Sequence, residues 1–337
     1  MVLTLQPFYK ETLWGGKMLR EKYGRDIPFE QTGESWEVSS HPNGQSLIVN
    51  GPYSGMTLDM ASLLYGEGLY GPKVKVGSLP LLFKLIDASD NLSIQVHPRL
   101  STGDIQAKHE MSIILEAKPG AVIYAGFKNG YTKEDVLSRT DISIDEMMEQ
   151  IPAHTGDAFF IPGGMIHALG RGILLAEIQT NSDITFRVYD WGRTANQAGL
   201  RTLHKEQAMT ACDFSLVGRS EMPLVLEEGA DVIRSVWPAC KFFAAMRVST
   251  HTKAVENTGG DSFHILFCLE GDGSVDGTPV TAGQTLFLAA DTGEYTVEGD
   301  LSYILFWTPD FERDYSAPLL QNGYSEEDIR RMWKDLK

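Results

Sequence analysis

The hydrophobic and polar positions of this 337-residue chain alternate over short runs far more often than they repeat at helical spacing. Leu92-Ser93-Ile94-Gln95-Val96-His97-Pro98 is the clearest case. Period two puts Leu92, Ile94 and Val96 on one face and Ser93, Gln95 and His97 on the other, which predicts a half-buried strand. The same period over residues 108–115 predicts another strand, with Lys108, Glu110 and Ser112 on one face. Short β-rich runs separated by Gly, Pro, Asn and Asp fill most of the chain, a texture that suits jelly-roll folds. Helical spacing is confined to inserts. These are residues 57–69, short helices capped by Thr132 and Ser143, residues 202–212, and a terminal helix opened by Ser325 and running to residue 337. The texture changes near residues 213–235, so the expected division is 1–225 and 226–337.

A polar row on one face of an otherwise apolar strand needs a partner. Residues 156–167 supply the rest of a site: a glycine turn, the apolar run Phe159-Phe160-Ile161, a Pro162-Gly163 corner, then His167. Gln95, His97, Glu110 and His167 together form a mixed nitrogen and oxygen set suited to zinc or a similar divalent ion. A lone histidine before proline is more often a hydrogen-bonded core or loop residue than a ligand. The pattern alone leaves both readings open.

Further runs carry a resemblance. They are Trp14-Gly15-Gly16, Gly33-Glu34-Ser35-Trp36-Glu37-Val38-Ser39, Pro80-Leu81-Leu82-Phe83-Lys84 and Gln95-Val96-His97-Pro98. Glu177-Ile178-Gln179, Asn181-Ser182-Asp183 and Arg187-Val188-Tyr189-Asp190 continue the series. With these motifs the chain resembles the type I (cupin) phosphomannose isomerase family in its short bacterial form, most densely from about residue 7 to 203. The resemblance implies a mainly β fold of two cupin-type (jelly-roll) β-barrels with short helical inserts, the first one catalytic. It implies metal-dependent interconversion of mannose 6-phosphate and fructose 6-phosphate through an enediol or enediolate. One zinc ion per chain would be held by Gln95, His97, Glu110 and His167. Arg187 would stabilise the enediolate and Asp183 orient it, while Lys108 and Glu177 would move protons. Ser93 and Lys84 fit contacts to phosphate or sugar hydroxyls. The chain departs from the family at Leu169, where longer members carry a tyrosine. It departs again at Arg99-Leu100-Ser101, where acidic residues often follow His-Pro.

Residues 263–273 and 283–291 read as a second, degenerate barrel. Glu294 stands where a histidine would complete the motif, and His264 reads as a packed or surface histidine rather than a ligand. No metal is expected there. An isomerase for a different sugar phosphate, a non-catalytic sugar-binding or regulatory cupin and a metal-dependent oxygenase are the rival readings of the same fold.

Charge changes the picture in one respect. The net charge of −16 argues against nucleic-acid or anionic-membrane partners. An anionic phosphosugar therefore requires locally concentrated cations, which Lys84, Lys108, Arg187 and a metal ion would supply. Cys212, Cys240 and Cys268 are few and far apart, so a reducing cytoplasmic location is expected rather than a disulfide framework. The opening residues lack the pattern of a signal peptide, and no apolar window is long enough to span a membrane. Monomer and homodimer both remain open.

Overall fold

The computed structural model describes residues 1–336 apart from residues 104, 140 and 194–200. The chain is mainly β and forms two compact units, each assembled from separated segments. One comprises Met1–Phe8, Trp36–Phe83 and Met222–Lys337; the other comprises Tyr9–Ser35 and Lys84–Glu221.

In the first unit, antiparallel strands run in the order Leu224–Glu228, Val232–Val236, Ala244–Thr250, Glu294–Trp307, His264–Val275, Thr285–Leu288, Val2–Gln6, Leu47–Ile48. Val2 pairs with Leu288, so the beginning of the sequence is a strand in a sheet built mostly from its last third. The sheet closes over Leu266, Leu286, Tyr303 and Leu305. Polar groups inside it are paired: Glu256 Oε1 accepts from Tyr303 Oη at 3.1 Å and from Arg234 Nη2 at 2.7 Å, and Glu37 Oε2 accepts from Thr285 Oγ1 at 2.8 Å. His264 is buried with Nδ1 2.7 Å from Tyr295 Oη, and burial pushes it down to about 4, so it is a neutral packed side chain. Cys240 and Cys268 are buried, and burial raises both thiols.

The helical inserts are shorter than their spacing implies. Residues 57–69 yield Leu58–Tyr65, capped by the Thr57 side chain and ended at Gly66. Residues 202–212 yield Lys205–Ala211, Thr132 caps Lys133–Ser138 with a full capping box, and Ser143 precedes only a single 3₁₀ turn. The terminal helix stops at Met332 instead of running to residue 337. Trp333 leaves it to pack against Phe311 and Tyr315, with centroids 4.7 and 5.6 Å away. Residues Trp333–Lys334 then pair with Ala239–Cys240. Burying the indole outweighs one more turn of helix.

The second unit is built on two sheets. One has the order Met148–Pro152, Val122–Phe127, His167–Leu169, Ile94–Val96, Phe186–Tyr189. The other runs Ala158–Ile161, Glu110–Ala117, Ile173–Thr180, Leu81–Ala88. Ile114, Phe159 and Leu175 from one sheet meet Ile123 and Leu169 from the other in a shared core. Ile94, Val96 and Val188 are buried on the opposite side, against Ala208 and Met209 of the helix Lys205–Ala211. The expected alternation holds over Ile94–Val96, while Leu92 lies before the strand and packs in the other core with Ile123 and Leu169. The sheets are open jelly-roll layers rather than closed barrels. Strands of three residues, such as Ile94–Val96, leave too few ladder bonds to close a ring.

Asp87 joins a strand to a helix in this unit. Its Oδ2 accepts from Leu19 N at 3.0 Å, at the start of the helix Met18–Tyr23, where Lys17 provides no side-chain cap. Gly16 is obligatory beside it, because a Cβ there would lie 1.9 Å from Asp87 Oδ1. Burial raises the Asp87 carboxyl from 3.8 to about 6. A carboxyl raised on folding contributes stability that is fully present below its unfolded value and lost as pH rises through its folded value. Between about pH 4 and about pH 7.5 the protein should therefore lose on the order of 2–3 kcal/mol relative to Asp87→Asn, as read from urea midpoints. Parallel pH profiles for the two proteins would refute this.

Candidate metal centre

The free parity of Ile94–Val96 meets three other strands. Gln95 is in register with His167 on one side and Arg187 on the other. Glu110 opens its own strand opposite Gln179. The loop before His167 is held by two bonds: Gly164 N donates to His97 O at 2.8 Å, and Gly163 N donates to His109 Nδ1 at 3.0 Å. Gly164 sits at φ +92°, and a Cβ on Gly163 would come within 2.4 Å of Pro98 O. Only glycines let this corner lie flat on the neighbouring strand.

The result is a buried cluster in which the ligand atoms of His97, Glu110 and His167 all lie within 4.8 Å of one another. His167 Nε2 is 3.0 Å from Glu110 Oε1, and His97 Nε2 is 3.3 Å from Glu110 Oε2. Each imidazole has its Nδ1 against a backbone carbonyl, Ile184 O at 2.9 Å for His97 and Met165 O at 3.0 Å for His167. That contact places the proton on Nδ1 and turns the Nε2 lone pair toward the carboxylate. Gln95 Nε2 is 3.3 Å from His167 Nε2, and the amide turned over would present its oxygen at the same place.

Whether a metal fits can be judged from these atoms alone. Lone pairs facing a carboxylate across about 3 Å repel unless a cation stands among them. The donor separations match the roughly 3.4 Å edge of a tetrahedron with bonds near 2.1 Å. Burial, and next the charge of Lys108, holds His97 down at about 3, so its imidazole is neutral and ready to ligate. Burial pushes Glu110 up, but the charge of Lys108 foremost prevails and holds its carboxyl well below the usual range. Glu110 Oε2 accepts no hydrogen bond among the described residues, although Lys108 Nζ is 2.8 Å away. The set fits a divalent ion, with one anionic and up to three neutral ligands.

Lys84 lies beside this cluster, buried, with Nζ 3.3 Å from Glu34 Oε2 and 3.8 Å from Glu177 Oε1. Burial disfavours its charge, but Glu34 and Glu177 outweigh that and raise its pKa. It faces two carboxylates. Burial first, and Glu110 second, raise Glu177 to about 7. Arg187 Nε donates to Ser93 Oγ at 3.1 Å and its Nη1 to Thr202 O at 3.1 Å, so Ser93 holds the arginine. Burial, then Arg201 and Arg193, lower the Arg187 pKa. Asp183 is not brought to Arg187; its charge acts on Lys10. The carboxylate acting on Arg187 is Asp190, which also binds Arg193 Nη2 at 2.7 Å and Arg201 Nη2 at 2.5 Å. Sequence reasoning missed Glu34, Arg193 and Arg201 as members of this neighbourhood. Glu34 and Asp190 stood in quoted motifs, but neither arginine carried a periodic signal.

A jelly-roll fold with a buried His-Glu-His cluster defines a cupin with a candidate metal centre. The family model for the catalytic domain of type I phosphomannose isomerase matches residues 2–119, and that for the mannose-6-phosphate isomerase cupin domain matches residues 234–307. The chain is 35% identical over 314 residues to GmuF of Bacillus subtilis, a probable mannose-6-phosphate isomerase, covering 90% of this chain and 98% of that protein. It is 41% identical over 214 residues to the mannose-6-phosphate isomerase of Streptococcus mutans, covering 61% and 66%. The crystal structure of the Bacillus subtilis mannose 6-phosphate isomerase matches with a TM-score of 0.82 at 30% identity, over 90% of this chain and 99% of that one. A mannose 6-phosphate isomerase bound with zinc and yttrium shares the fold at 17% identity and a TM-score of 0.71, over 92% and 100% of the two chains. The chain belongs to the type I phosphomannose isomerase family.

The donor set makes one direct demand. After zinc loading and dialysis, atomic emission should find about one ion per chain, with strong loss in His167→Ala and Glu110→Gln. Unchanged metal content in both variants would place the ion elsewhere.

Proposed function

We propose that this protein is a metal-dependent aldose–ketose isomerase that interconverts mannose 6-phosphate and fructose 6-phosphate through an enediolate. The observation that carries the reading is the buried His97–Glu110–His167 donor set with Arg187 and Glu177 around it, in a chain of this family. Zinc is the proposed ion, because two imidazoles, a carboxylate and an amide suit a redox-inert borderline metal. When bound, it would polarise sugar oxygens and offset negative charge developing on them.

The chain's own residues supply the rest. Glu177, raised to about 7, is divided between its two protonation forms near neutral pH, as a group that both takes and returns a proton must be. Lys84 keeps its charge against Glu34 and Glu177, which positions the Glu177 carboxylate and keeps it from rising further. Arg187, steered by Ser93, offers a guanidinium fork to the oxyanion of the enediolate. Arg187, Arg193 and Arg201 outnumber Asp190, so this end of the site carries the positive charge that a phosphate needs. Lys84 and Ser93 thus act on protein groups, and the arginines take the phosphate. The free cysteines fit a reducing cytoplasm.

Zinc-loaded protein should convert mannose 6-phosphate to fructose 6-phosphate, and a chelator should abolish turnover. Arg187→Ala should lower kcat by on the order of 10²–10³, and Arg187→Lys should not restore it. No turnover with zinc demonstrably bound would refute the assignment. In a pH series, the rate should rise through about 7 as Glu177 loses its proton. Glu177→Gln should be slower and lack that limb; a limb that persists in the variant belongs to another group.

A further inference from the structure

Lys108 stands where proton transfer alone does not require it. Its Nζ is 3.0 Å from His97 Nε2 and 2.8 Å from Glu110 Oε2, and the residue is only 4% exposed. Its backbone N–H donates to Pro98 O at 2.9 Å, which pins the lysine beside the His97 strand. The ammonium therefore hydrogen-bonds the His97 lone pair and pairs in charge with Glu110 Oε2, the two donor atoms that a ligated ion would use. An ion about 2.0–2.2 Å from those donors lies within about 5 Å of Nζ. Two positive charges that close inside a buried site repel strongly.

We propose that Lys108 and the metal ion compete for His97 and Glu110, so that loading the ion drives the ammonium off both donors. The lysine then holds the affinity of the site below what its ligands alone would give. This rests on the metal reading above. Glu177 gives the displaced ammonium somewhere to go. It shares the sheet face of Glu110 through its pairing with Ser112, and its carboxyl already feels the charge of Lys108. Metal loading would thereby set a cation beside the proton-transfer carboxylate, coupling occupancy of the centre to readiness of the shuttle.

The experiment is zinc affinity of the full chain by competition with a fluorescent chelator, a readout independent of turnover. Lys108→Met keeps the apolar stem and removes the charge; Lys108→Gln serves if the methionine variant does not fold. Lys108→Arg keeps the charge. The neutral variant should bind zinc about tenfold more tightly or better than wild type, and the arginine variant should not. Equal or weaker binding by the folded neutral variant overturns the inference while leaving the metal centre standing. If zinc binds neither wild type nor the variants, the metal reading falls and the inference falls with it.

Discussion

The buried carboxylate of Glu110 is the constraint on which the rest of the site depends. A charge taken out of water into a jelly-roll interior is costly unless cations or donors meet it. Here the two nearest imidazoles present lone pairs rather than protons, because backbone carbonyls hold their Nδ1–H groups. Cations must therefore come from elsewhere, and Lys108 and a divalent ion are the two that the geometry admits. The glycine corner at residues 163–164 serves this same end, since it lets His167 approach His97 to a ring separation of 4.8 Å.

A second layer of charge surrounds the first. Glu34, Lys84 and Glu177 form an acid–base–acid row, half-buried at Glu34 and buried at the other two, whose lysine keeps its charge and whose inner acid titrates near neutrality. The other unit shows what a jelly-roll core does without such a centre. Glu256 there is met completely by Arg234 and Tyr303, and His264 pairs with a phenol. Polar groups are present in both interiors; only one of them faces lone pair against lone pair.

Much of this was legible in the sequence because the signal was local. Period two over residues 92–98 placed Gln95 and His97 on the working face, and the packing of Ile94 and Val96 shows why that parity was forced. The spacing from Gly156 to His167 reported a turn and a corner. What local pattern could not report is which charge meets which. Lys84 reads as a contact for phosphate or a sugar hydroxyl, and its ion pair with Glu34, fifty residues earlier, has no local signal. Asp183 lies four residues from Arg187, yet Asp190 is the acid that acts on the arginine. The terminal helix ended early for a similar reason, as the ring partners of Trp333 lie outside any helical window. The three segments of the first unit are equally invisible to periodicity.

That interleaving bears on how the protein is made. Residues 1–8 and 36–83 belong to a unit whose sheet takes Val2–Gln6 and Leu47–Ile48 from them and its remaining strands from beyond residue 222. On the ribosome, these early segments emerge well before their partners exist, while residues 84–221 between them can already close their own sheets. The middle of the message is thus the first part able to fold, and Val2–Gln6, which can pair early with Leu47–Ile48, keeps its other edge open until Thr285–Leu288 is synthesised. An open strand edge waiting that long is an invitation to wrong pairing, so the pace of translation and the presence of chaperones will weigh on the yield of active protein.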